Sequence, residues 1–72
     1  MQSAVLYDRL ERALIALEYA LADARSAERE ELAAVSRSQE ALQSAGEELH
    51  EVLIALRAAA LRDAALRVRE WT

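Results

Sequence analysis

Nothing in these 72 residues stops a helix outright: the chain has no proline and a single glycine, Gly46. Those two residue types break or cap helices, and in a helix interior they cost about 3 and 1 kcal/mol relative to alanine. A chain without them is free to form helices well beyond the usual three turns. The apolar residues point the same way. Of 39, 17 are alanine and 12 are leucine, phenylalanine is absent, and only Ile15 and Ile54 are isoleucine. That mixture favours helix and starves strands, so the expected class is all-α.

Spacing supplies the faces. Tyr7, Leu10, Leu14, Leu17, Leu21 and Ala24 recur in steps of three and four, which places them on one side of a helix. Leu42, Ala45, Leu49, Val52, Leu53, Leu56, Ala60, Ala64 and Trp71 keep the same rhythm in the other half. Between them, residues 25–40 carry only Leu32 and Val35 as large apolar residues, so the middle is solvated.

Three places offer a break. Ser36 with Gln39 spells a capping box at the midpoint of the chain. Arg25-Ser26 followed by Glu28, Glu30 and Glu31 puts a cation at one helix end and acids at the start of the next, as helix dipoles prefer. Ser44-Ala45-Gly46-Glu47 combines a second box with the glycine. Pairing favours the midpoint: a turn near residue 37 sets Leu21 against Leu53, Leu17 against Leu56, Leu14 against Ala60 and Leu10 against Ala64. It also sets Asp8 against Arg67 and Arg12 against Asp63. The expected architecture is therefore one helical domain, 1–72, folded as an antiparallel hairpin, with helix 1 over about 3–35, a turn at about 36–38 and helix 2 over about 39–70. A three-helix chain would have too thin a central stripe. One continuous helix pairing antiparallel with a second copy remains open, because the phase Tyr7, Leu14, Leu21, Glu28, Val35, Leu42, Leu49, Leu56 never breaks.

A hairpin this small needs company. Chains of this size seldom gain more than about 3–5 kcal/mol from one core, and there is no cysteine to form a disulfide. Helix 2 also carries a second apolar stripe, Ile54, Ala58, Leu61, Ala65 and Val68, and helix 1 a weaker counterpart in Ile15 and Tyr19. A hairpin buries one side of each helix, so these residues form the expected partner-binding surface. A second copy or another helical protein would complete a four-helix bundle or coiled coil.

Other function classes recede. Thirteen acids against nine arginines give a net charge of −4, which repels a phosphate backbone, so no nucleic-acid partner is expected. The longest apolar runs, 13–17 and 52–56, are far short of the roughly 20 residues that span a bilayer, so no membrane partner is expected. The first residues lack a basic segment and reach Asp8 early, unlike a secretory signal, and a cytoplasmic location follows. There is no glycine-rich loop and no nucleophile motif, so no catalytic residue and no cofactor are expected.

One constellation resembles a metal site. Glu47 and His50 form Glu-x-x-His, the spacing by which carboxylate-bridged di-iron bundles place two ligands on one helix face, and Glu18 is available on the other helix. In this the chain resembles the encapsulated ferritins, two-helix chains whose dimers assemble a di-iron site. That resemblance implies Glu18, Glu47 and His50 as metal ligands, an alternative to the expectation that the chain holds no metal.

A second resemblance is broader. Leu10-Glu11-Arg12-Ala13-Leu14-Ile15-Ala16-Leu17 and Ala41-Leu42-Gln43-Ser44-Ala45, followed by His50 and Val52, are similar to the two helices of the small co-chaperones of type III secretion needle subunits. The resemblance implies an acidic helical hairpin that joins a helical-repeat chaperone and keeps an export substrate monomeric in the bacterial cytoplasm. It places the turn near Arg25-Ser26 and leaves 61–72 without a counterpart. The function expected is thus a non-catalytic helical protein–protein interaction module, in specific form a bacterial secretion or assembly co-chaperone. The alternative is a ferritin-like half-bundle.

Overall fold

The helix break falls at residues 28–31, between α1 (Gln2–Ala27) and α2 (Leu32–Trp71). This is seen in a computed structural model that describes residues 2–71 and, of their side chains, those of 3–70. Backbone bonds show how a chain without proline turns here. The Arg29 N–H donates to the Ser26 carbonyl at 3.4 Å and the Glu30 N–H to the Ala27 carbonyl at 2.9 Å, tightening the end of α1. The Glu31 carbonyl then accepts the Val35 N–H at 3.1 Å and starts α2. Arg25 sits in the last turn of α1, and Glu28, Glu30 and Glu31 gather before the first turn of α2, so both helix dipoles meet favourable charges.

The chain is an all-α antiparallel hairpin, as its composition predicts, but the turn does not lie at 36–38. Helix 1 ends eight residues short of the expected 35, and Ser36 to Gln39 lie inside α2. Ser38 caps nothing; its hydroxyl donates back to the Val35 carbonyl at 2.8 Å. Gly46 is likewise mid-helix, without a positive φ. The continuous helix and the three-helix chain are both overturned.

Moving the turn changes which residues meet. The least exposed positions of α1 are Ser3, Leu6, Leu10, Ala13, Leu17, Ala20, Ala24 and Ala27, in steps of three and four throughout. On α2 they include Val35, Ser38, Leu42, Ala45, Leu49, Val52, Leu56, Ala59 and Asp63, in the same rhythm. This is the seam of an antiparallel coiled coil. Matching the seam positions in order outward from the turn pairs Ala20 with Leu42, Leu17 with Ala45, Ala13 with Leu49, Leu10 with Val52 and Leu6 with Leu56. Large residues mostly face small ones, so the helices lie close. The pairings of Leu21 with Leu53, Leu17 with Leu56, Leu14 with Ala60 and Leu10 with Ala64 do not form, nor do Asp8–Arg67 and Arg12–Asp63. Arg9 instead reaches Glu48 at 3.3 Å. Both side chains are half exposed, and such a pair contributes about 0–1 kcal/mol.

Tyr7, Leu14 and Leu21, expected in the core, are exposed, as is Leu53. The side chain of Trp71 lies outside those described. The hairpin is slender, 62 × 14 × 12 Å, with a radius of gyration of 17.4 Å, against about 11 Å for a compact domain of this length. With 40 residues against 26, α2 runs past the first turn of α1 at the open end.

An insertion tests the position of the turn. Two glycines after Arg29 lengthen an exposed loop and are expected to leave the thermal midpoint within a few degrees, because closure entropy grows slowly with length. The same insertion after Arg37 rotates the rest of α2 through about 200° at about 100° per residue. Its seam then leaves α1, and circular dichroism is expected to show loss of most cooperative unfolding. Equal tolerance of both insertions would refute the turn at 28–31.

Candidate functional site

The seam divides the surface of the hairpin into two flanks. Arg9 and Asp23 of α1 lie on one, with Glu48 and Arg62 of α2; the Arg9–Glu48 pair crosses it. A shallow groove on this flank is lined by Val5, Leu6, Ala55, Ala58 and Ala59 between Arg9 and Arg62. A second, near the turn, has Asp23, Glu30 and Arg37 around Ala27, Ala34 and Ala41. Charged side chains rim both grooves.

The opposite flank is apolar. Tyr7, Leu14 and Leu21 follow the seam on α1, each one residue after Leu6, Ala13 and Ala20. On α2 the equivalent places are Gln39, Gly46, Leu53, Ala60 and Arg67. In an antiparallel pair these two rows share a side, and together they make a ladder of Ala60, Tyr7, Leu53, Leu14, Gly46 and Leu21 along the hairpin. Its large members are about half exposed, Leu14 at 43% and Leu53 at 46%.

The residues that the sequence offers as partner-binding are all exposed: Ile15, Tyr19, Ile54, Ala58, Leu61, Ala65 and Val68. They do not form one surface. Ile54, Leu61 and Val68, seven apart, lie on the side of α2 turned away from α1, and Ile15 lies on the side of α1 turned away from α2. Leu61, Ala65 and Val68 belong to the end of α2 that outruns α1, where Leu66 is also exposed. A small hollow there is bounded by Ser3, Asp63, Leu66, Arg67 and Glu70.

Glu47 and His50 are neighbours on the exposed surface of α2, and Glu18 is exposed on α1. The fold does not bring the three together: among the described residues, no group of three or more His, Cys, Asp or Glu stands where it could hold a metal ion. Also among the described residues, no helix is long and apolar enough to cross a membrane.

Sequence reasoning missed the Tyr7–Leu14–Leu21–Leu53 flank because it placed those residues in the core. The signal that could have found it is the alanine series Ala13, Ala20, Ala24 and Ala27, which marks a side where another helix comes close. Comparison with known proteins finds no matching family, curated protein or solved structure.

Proposed function

We propose that this chain is a non-catalytic helical interaction module that presents apolar surface to another protein. The observation that carries this reading is the imbalance of its surface. Among the described residues, Val52 and Leu56 are the only large apolar side chains that are buried, the rest of the core being Ala13, Ala24, Ala27 and Ala59; twelve other large apolar residues are exposed. The accessible surface is 6010 Å² for 8.0 kDa, against about 4,450 Å² for a compact monomer of that mass. Exposed apolar surface on this scale marks interaction sites. The specific form we propose is a bacterial secretion or assembly co-chaperone in the cytoplasm, a reading supported by the turn directly after Ala27, beside Arg25 and Ser26 where the resemblance to needle co-chaperones puts it.

Native mass measurement tests the module. The purified chain, alone or co-expressed with the products of neighbouring genes, is expected to appear in an assembly heavier than its 8.0 kDa. A folded 8.0 kDa monomer under both conditions would refute the reading. Metal analysis of the same samples is expected to find no stoichiometric iron. Iron at a definite ratio, lost in His50→Ala, would replace the module with the di-iron half-bundle.

A further inference from the structure

We infer that the apolar flank formed by Tyr7, Leu14, Leu21 and Leu53 is covered by a second copy of this chain, stacked so that α1 of each copy lies beside α2 of the other. The inference rests on the interaction-module reading and names the partner of that module.

Three observations select the occupant. The first is charge. Beside the apolar ladder, the outer edge of α1 carries Glu11 and Glu18, with Arg25 at the turn end, whereas the outer edge of α2 carries His50 and Arg57 and no acid, with Arg67 further along. Two copies can be related by a two-fold axis along the hairpin or across it. An axis along the hairpin lays α1 of one copy on α2 of the other and brings Glu11 to the stretch of α2 that holds His50, within a turn or two of the cation Arg57. An axis across it lays α1 on α1 and sets Glu11 and Glu18 against the same two acids. Like charges placed together are disfavoured, so the two glutamates favour the first arrangement.

The second observation is Gly46. It lies in the middle of α2, where glycine is about 1 kcal/mol worse than alanine, and a Cβ built on it would meet nothing within 4 Å. The hairpin therefore makes no use of its small size. With the axis along the hairpin, Leu14 of the second copy comes level with the Gly46 notch and Tyr7 of the second copy level with Leu53. The missing side chain becomes the space that Leu14 fills.

The third is area. The two helices run side by side over the 26 residues of α1, about 39 Å at 1.5 Å per residue, so a side 14 Å wide gives roughly 550 Å² per copy and about 1,100 Å² for the pair, just above the roughly 1,000 Å² that a specific interface needs. Each neighbouring pair of helices in the resulting four-helix bundle is antiparallel, as in bundles with short connections.

The chain has no cysteine of its own, so introduced thiols report on the stacking. Leu14→Cys and Gly46→Cys both lie outside the seam and leave the hairpin intact. After equilibration together, a short bifunctional maleimide is expected to join one variant to the other, while either variant alone gives little cross-linked dimer. Leu14→Glu is expected to raise the dimer dissociation constant at least about tenfold, which is 1.4 kcal/mol, with helix content retained. Cross-linking of Leu14→Cys to itself as readily as to Gly46→Cys would mean α1 packs on α1 and would overturn the proposal. So would a chain that sediments as a monomer alone yet assembles with another protein, an outcome that leaves the module reading standing. A monomer under every condition would end both.

Discussion

Val52→Asp is expected to unfold the hairpin. Val52 is 1% exposed and sits in the seam of α2. The described structure offers no cation there to meet a carboxylate, and burying an unpaired charge costs several kcal/mol even after local relaxation. The core it would enter consists of four alanines, one leucine and this valine. A chain of this size holds about 3–5 kcal/mol in all, so the substitution removes most or all of it. Circular dichroism at low protein concentration reads the result as lost helical signal. Ile54→Asp, two residues along on an exposed site, is expected to keep that signal. Equal damage from both would mean the seam has been drawn on the wrong side of α2.

Ala24→Leu has the second-largest expected effect, for the opposite reason. Ala24 is 3% exposed, close to the turn, where four residues tie the helices together. A leucine there adds three carbon atoms between backbones that cannot splay. Overpacking of this kind typically costs about 1–3 kcal/mol, which in a domain of this size lowers the thermal midpoint by about 5–20 °C. Ala22→Leu, exposed on the same helix, should leave the midpoint unchanged or raise it slightly. If Ala24→Leu were silent, α1 would have to pack by its Leu14–Leu21 side, and the exposed flank that carries the dimer proposal would be its core instead.

That contrast shows why the site was only half legible. Leu10, Leu17 and Ala24 form one stripe of α1, and Tyr7, Leu14 and Leu21 form another about 60° away at about 100° per residue. The alanines 13, 20 and 27 lie about 60° to the other side. A seam centred toward the leucines and one centred toward the alanines both include Leu10 and Leu17. Residue size favours the leucines, and the sequence-based pairing follows it. The fold takes the alanine side, which leaves Tyr7, Leu14 and Leu21 outside with Leu53 and makes the surface on which the functional reading rests.

On α2 the ambiguity is smaller. Leu42, Ala45, Leu49, Val52 and Leu56 were expected on the inner face and lie there, because the flanks are weaker: Gly46 and Gln39 stand where α1 has leucines. The sequence by itself determined the helical class and this stripe, since each follows from composition and spacing within one stretch of chain. The tertiary structure alone decided the turn and the phase of α1. Without a glycine or proline to mark it, the break falls where two whole seams come into register with Arg25 and three glutamates at the helix ends. The charges are local and mark this place as one of three candidate breaks, but the register of the seams joins residues far apart in sequence, and that is what chooses among them.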